Sequence, residues 1–379
     1  MSTPSANKMR VTQIYTYPIK SLRGISLSSL PAMYTGFPHD RRFMLFKVDE
    51  GKNMHVADKT EMCLFTTAFA EPEGTTPKTV VVSYSLEHTF NKPERRVGKD
   101  ALEVPLTPDV EALGLDEVPI TMHGSPCVGF NMGERYNAWF SDRFGYPVKL
   151  LYIGNNKRQV LGNMPPVVAG RQRDGLTETN GNASRSGSSW LSSLTSTATS
   201  LVGAVMGPGE NKENEYDGVD EGISFADVAP YLVVSSKSWE DAQRRLPEGE
   251  SMDISKFRPN IIVEGAEEEY DEDYWAELMI GDGAKIVLTQ NCARCNSLNV
   301  DYSTGKVGVG EAGKILKKLN KDRRVDPGTK WSPVFGRYGF LARVPQGKNA
   351  AEVKVGDEVR VLRRNSERTK FEWPDLSTN

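Results

Sequence analysis

The chain has 379 residues, 38% hydrophobic and 26% charged, with a formal net charge of −3. That suffices for two domains, or for one domain with a large insertion, and the charge excludes a general nucleic-acid binder while leaving room for a local basic pocket. Four cysteines, Cys63, Cys127, Cys292 and Cys295, are too few to staple a chain of this length, which fits a reducing compartment.

Residues 10–155 read as a β-rich domain. Predicted strands are Val11–Tyr17, ending at Pro18, then Arg42–Val48, Thr79–Tyr84 and Val148–Ile153. One helix is expected over Gly133–Phe144, closed by Gly145, because Tyr136, Trp139, Phe140 and Phe144 recur at helical spacing. From 170 to 222 the chain turns rich in Ser, Thr, Gly and Asn, the composition of a disordered insertion. Within it, 188–206 has an apolar face (Trp190, Leu191, Leu194, Leu201, Val205) opposite a Ser/Thr face. Such a segment suits peripheral lipid contact, docking on the protein's own surface, or disorder.

Folded character returns over 223–364. Helices are predicted at Ser238–Leu246 and Gly310–Leu319, and strands at Asn260–Val263, Ala284–Thr289 and Val359–Leu362, ahead of a polar tail at 365–379. The fold class is therefore α+β and β-rich. No run of about 18 apolar residues occurs, so no helix is expected to span a bilayer. Met1–Arg10 carries neither a secretory signal nor a clear anchor. The expected location is intracellular, cytoplasmic or peripheral on an organelle membrane, with mitochondrial association left open.

The chemistry concentrates in Asn291-Cys292-Ala293-Arg294-Cys295, after the apolar run Ile286–Leu288. A thiol beside a fixed positive charge favours its anion. The Cys-x-x-Cys spacing suits half of a zinc site, a redox dithiol, one thiolate on a soft transition metal, or two small buried residues. No second cysteine pair accompanies it, and His39, His55, His88 and His123 lie far off in sequence without paired spacing. Lys20-Ser21 after Tyr17-Pro18-Ile19, Arg41-Arg42, and Arg258-Pro259-Asn260 each place cationic or amide groups at the mouth of a predicted strand. Together they describe an anionic ligand held near a thiolate. Phe335-Gly336-Arg337-Tyr338 reads as a glycine- and aromatic-rich turn, able to close over a flat ligand or simply to turn a corner.

Tyr17–Ser21, Arg42-Phe43, Phe257–Asn260, Cys292–Cys295 with Val300-Asp301 and Thr304-Gly305, and Phe335–Tyr338 occur in the order seen in MOSC proteins. Within that family the chain resembles the amidoxime-reducing components. The resemblance implies a MOSC β-barrel core with a smaller N-terminal β-barrel-like domain. It also implies a molybdenum-molybdopterin cofactor with Cys295 as the metal ligand. Lys20, Ser21, Arg42, Arg258, Asn260, Arg294 and Tyr338 match cofactor-holding positions, and Asp227 matches an acidic residue near the metal that either relays protons or caps its loop. Arg294 would then help keep Cys295 anionic, with Cys292 a neighbour without metal. Where relatives carry hydroxyl residues this chain has Val228 and Ala229, and Ala293 replaces a common serine.

The implied activity is reduction of N-hydroxylated substrates (amidoximes, hydroxylamines, N-oxides), with electrons from cytochrome b5 and NADH-cytochrome b5 reductase. The alternatives are a molybdenum-cofactor carrier and a sulfur-transfer module. The family also carries an association with pyridoxal-phosphate binding, although no pyridoxal-phosphate domain is read in this sequence.

Overall fold

The structure is a computed structural model that describes residues 8–85, 101–164, 222–344, 348–374 and 376–377. The 170–222 insertion with its 188–206 segment lies outside the described residues, apart from Gly222 in the short strand Gly222–Ile223.

The largest sheet has eight strands. Their order is Ile25–Leu27, Arg10–Thr16, Ile261–Glu264, Tyr231–Ser235, Val334–Arg343, Ala284–Ala293, Trp275–Ile280 and Val359–Arg364. All neighbours are antiparallel except Tyr231–Ser235 beside Ile261–Glu264. The far edge returns to the first strand: Arg10 bridges Glu358, and Val359 N donates to Met9 O at 2.8 Å. The sheet thus nearly closes into a barrel, which removes most of its exposed edge. Its interior is filled by Val11, Ile14, Tyr231, Val233, Ile261, Trp275, Leu278, Ile286 and Leu341.

Sequence pattern explains the local geometry. Val11 and Ile14 lie three apart, which a regular strand would send to opposite faces. A register shift between Val11 and Gln13 absorbs the extra residue and turns both inward. Ala284–Ala293 has no alternation because nine of its ten residues are buried, one face in the barrel and the other under the helices. It runs four residues further than the 284–289 predicted from its apolar stretch, carrying Cys292 inside the strand.

The smaller β-rich part holds a five-stranded sheet in the order Lys52–Asn53, Phe43–Lys47, Val148–Tyr152, Ser125–Asn131, Glu117–Met122. A three-stranded sheet, Phe65–Phe69, Thr79–Tyr84, Leu102–Pro105, accompanies it. The predicted helix is present as Glu134–Phe144, with Gly145 in the left-handed conformation at its end. Phe65 is the hub of this core, its ring 4.6 Å from Tyr84 and 4.9 Å from Phe144.

Four expectations need correction. The first strand, assigned by sequence to the 10–155 domain, belongs to the large barrel, and Ser29–Ala32 pairs with Ala351–Lys354 near the other end of the chain. Residues 1–165 and 220–379 accordingly form one compact unit. Second, Phe335–Tyr338 is no turn but part of strand Val334–Arg343, bent at Gly336 (φ +79), where a Cβ would meet Val233 O at 2.9 Å. Third, the 310–319 helix shrinks to Ile315–Leu319, preceded by a 3-10 turn at Ala312–Lys314, because Gly310 and Gly313 are poor helix formers. Fourth, the 365–379 tail is not a free polar tail: Phe371 and Trp373 are 4% and 1% exposed. Among the described residues no helix is long and apolar enough to cross a membrane.

Candidate functional site

A cleft of about 390 Å³ opens where the barrel meets the smaller sheets. Six described non-glycine residues have left-handed backbone angles, and four of them, Ser21, Arg41, His123 and Arg258, line this cleft. Such angles are costly for ordinary residues and persist where surrounding contacts enforce them, as at binding sites.

The basic wall is built on a buried network. Asp40 accepts from Tyr17 N at 3.0 Å, from Asn260 Nδ2 at 3.0 Å and from Arg41 Nη1 at 2.5 Å. Arg41 and Arg258 both lie against the Tyr17 ring, 4.5 and 4.4 Å from its centroid. Arg258 Nη1 donates to Leu22 O at 2.8 Å, while its Nη2 is buried without a protein partner. Lys20 is buried, donates to Phe225 O at 3.0 Å and pairs with Asp227. Burial pushes the Lys20 ammonium down from its ordinary value and Asp227 opposes that. Burial alone would raise the Asp227 carboxyl, but Lys20 and then His123 hold it well below the usual range, so Asp227 is a carboxylate.

Two of the residues expected to hold a cofactor are placed differently from the rest. Arg42 does not line the cleft; it leads into Phe43–Lys47, its guanidinium donates to Gly154 O, and it borders a separate hollow with Asn156 and Ser224. The left-handed turn at Arg41 sends the two neighbouring side chains apart, and Arg41 lines the cleft where Arg42 does not. Asn260 lines the cleft but spends its amide on the protein. Its Nδ2 donates to Tyr15 O and Asp40, and its Oδ1 accepts from Arg41 Nη1 and Leu232 N, both at 3.1 Å. It positions Arg41 more than it offers a bond to a ligand.

The two cysteines separate. Cys292 is 1% exposed in the strand; Cys295 is exposed beyond the strand end, its Sγ 3.2 Å from Ser297 Oγ. Arg294 Nη1 donates to Cys292 Sγ at 2.8 Å and Nη2 to Phe257 O at 2.9 Å, so its hydrogen bonds go to Cys292 and Phe257, while its charge also acts on Cys295. Residues two apart on a strand share a face, which Cys295 has left. Burial pushes the Cys292 thiol up, against Arg294, and Tyr338 is raised well above its ordinary value by burial and then by Cys292, so it stays a protonated phenol. Arg294 Nε is a second buried donor without a protein partner. Among the described residues no three His, Cys, Asp or Glu side chains converge as a metal cage.

Sequence reading missed the opposite wall. His55 and His123 face each other across 5.6 Å, and His123 Nε2 lies 3.4 Å from Asp227 Oδ1. Burial and Lys20 push His55 down to about 4. The fully buried Arg158 donates to Ser224 O, Met122 O, Ala226 O and Asp227 O, fixing the loop that carries Asp227. Beside it, Val228 and Ala229 pack on Phe371 and Trp373, so the tail also shapes the cleft. The His-Gly pair at 123–124 is a turn signal, but nothing local ties it to Asp227.

Residues 8–147 match the MOSC N-terminal beta barrel domain and residues 220–360 the MOSC domain. Mitochondrial amidoxime-reducing component 1 from Homo sapiens is 35% identical over 144 residues, 37% of this chain and 39% of that protein. The molybdenum cofactor sulfurase of Arabidopsis thaliana is 25% identical over 354 residues, 91% of this chain and 34% of that protein; the Homo sapiens sulfurase is 21% identical over 368 residues, 94% and 33%. The chain thus matches well under half the length of each. The N-terminal match includes strands of both the barrel and the smaller sheets, and the chain belongs to the MOSC-domain proteins, with a MOSC N-terminal β-barrel domain ahead of the MOSC domain.

Proposed function

We propose that this cleft binds a molybdenum-molybdopterin cofactor and that the protein reduces N-hydroxylated substrates such as amidoximes, hydroxylamines and N-oxides. The observation that carries the reading is an exposed Cys295 thiol sharing one cleft with two buried guanidinium N–H donors, on Arg258 and Arg294, that have no protein acceptor. A buried unpaired donor costs about 1–3 kcal/mol, and an anionic ligand offsets that cost.

The donor set fits the group. Arg258, Arg294 and Arg41 would hold its phosphate and polar pterin edge, with Ser21 and Tyr338 as neutral partners and Lys20 shared between ligand and Asp227. Cys295 would supply the thiolate that a soft metal prefers. When bound, the cofactor supplies the two-electron redox centre at which an N–O bond is cleaved. The chain's own groups orient the substrate against Asp227, and the apolar Val228, Ala229, Phe371 and Leu376 limit water on that side. Electrons come from outside, from a cytochrome b5 and its NADH-dependent reductase in the resemblance drawn above. An intracellular location follows from the same reading, with the mitochondrial relatives as guide.

Molybdenum content and benzamidoxime reduction, with reconstituted electron donors, test this. Cys295→Ala should lose both, while Cys292→Ala should keep most of its molybdenum. Full metal and activity in both variants would remove the ligand assignment. A second reading, cofactor binding or sulfur transfer without N-reduction, is favoured by the sulfurase match over 91% of this chain. Molybdenum bound in full with no turnover of amidoxime, hydroxylamine or N-oxide would select it.

A further inference from the structure

The reduction consumes protons, and the cleft holds a histidine built toward its one carboxylate partner. His123 sits with Gly124 in the two-residue turn between Glu117–Met122 and Ser125–Asn131, with left-handed angles of 52° and 72°. Asn, Asp and Gly are the residues that suit such a turn. A bulky imidazole there is held by contacts from outside the hairpin. Trp373 Nε1 donates to His123 O at 2.7 Å. Arg158 bridges Met122 O at 3.0 Å and Asp227 O at 2.8 Å, locking the hairpin to the loop that bears the carboxylate. The result is His123 Nε2 at 3.4 Å from Asp227 Oδ1, on the cleft surface, with the His55 ring 5.6 Å away.

We propose that His123 is a proton donor to the substrate in this cleft, oriented by Asp227, with Arg158 and Trp373 as positioning residues. This rests on the reductive reading above. For an amidoxime the N–O bond breaks and the nitrogen takes an electron pair, supplied ultimately by the external haem donor. His123 gives that nitrogen one proton, the oxygen leaves as water with a second proton from solvent, and the imidazole is reprotonated from solvent. The product is the amidine plus water, with two electrons and two protons consumed. His55 is uncharged near neutral pH, since burial and Lys20 hold it at about 4. That leaves His123 as the imidazole through which protons pass. The charged groups around it are Asp227, 3.4 Å from its Nε2, and Lys20 and Arg158, which both bond to Asp227.

The test uses His123→Asn, because asparagine suits the turn and spares the hairpin. Molybdenum content should stay at the wild-type level. The kcat for benzamidoxime should fall about 100-fold, the ordinary loss for a general acid, with KM nearly unchanged. Independently, in the cofactor-free protein the His123 imidazole resonances seen by NMR should move in Asp227→Asn, because the 3.4 Å contact with the carboxylate is lost. Wild-type kcat in His123→Asn, or imidazole resonances that Asp227→Asn leaves in place, would overturn the assignment. A wild-type protein that binds molybdenum but reduces no N-hydroxylated substrate would sink the reductive reading itself, and the donor role with it. A loss of molybdenum in His123→Asn would instead make His123 structural.

Discussion

Two thiols three residues apart carry different chemistry because the strand ends between them. Cys292, inside the strand, is buried and bonded by Arg294; Cys295, past the end, is exposed at the cleft. The guanidinium is the hinge of this arrangement: one nitrogen reaches Cys292 Sγ, another Phe257 O, and Nε stays free of protein. A lysine keeps the charge but cannot make the same planar set of bonds. Arg294→Lys is therefore expected to destabilise the fold by about 1–3 kcal/mol and to lower molybdenum content well below wild type. Urea unfolding and metal analysis check the two halves separately, and wild-type values in both would mean the guanidinium fork is dispensable. At this scale the sharing of one cleft by Cys295, Lys20, Ser21, Arg258, Arg294, Tyr338 and Asp227 was legible, because each sits in a short motif. His55, His123 and Arg158 were not, and Arg41 was read only as one of a cationic pair. Their roles come from contacts across tens to hundreds of residues, which local spacing does not encode.

The C-terminal segment shows how an element can be misjudged by composition. Its polar average hides Phe371 and Trp373, which fill a cluster with Val160, Ile223, Val228, Ala229 and Phe340. The backbone is pinned at several points: Phe371 N donates to Asp326 Oδ1 at 3.0 Å, Glu372 N to Asn163 Oδ1 at 2.8 Å, and Asn163 Nδ2 returns a bond to Lys370 O at 3.2 Å. A glycine at 328 is required, since a Cβ there would lie 2.0 Å from Phe371 O. Trp373→Ala removes a fully buried indole and its bond to His123 O, so a cost of about 3–5 kcal/mol is expected. Thermal or urea unfolding measures it; a change under about 0.5 kcal/mol, the usual size for a surface substitution, would show the segment to be peripheral. Elements with a strong period, such as Glu134–Phe144 and Thr79–Tyr84, were legible from sequence. The segment 371–373 has too few residues to show one, and Val334–Arg343 was obscured by the glycine that bends it.

At the scale of the whole molecule, strands from both ends of the chain close one barrel, so the 1–165 and 220–379 parts are expected to unfold together in a single transition. The pH dependence of that transition contains a liability at Glu272. This residue is fully buried in the 3-10 turn Asp271–Tyr274 and accepts from Ser238 Oγ at 2.7 Å at the start of helix Ser236–Arg244. Burial, and then the neighbouring Asp273, push its carboxyl up from 4.5 to about 7. The folded state therefore keeps a proton that the unfolded chain releases, so ν_U is below ν_N and stability falls as pH rises. The loss begins near 4.5, the unfolded value, and levels off above about 7. Two and a half pH units correspond to about 3 kcal/mol. His39 and His55 work in the other direction: burial holds both down to about 4, so their contribution grows as pH rises from there toward 6.5. A bare stability profile mixes these opposing slopes. Glu272→Gln isolates one, because the histidines are common to both proteins and cancel in the difference. The variant keeps an oxygen for Ser238 and has no proton to lose. Measured by urea unfolding, the advantage of Glu272→Gln over wild type should be smallest near pH 4.5, grow through neutrality, and flatten near pH 8. A difference independent of pH would mean that Glu272 ionises in the folded protein much as it does in water.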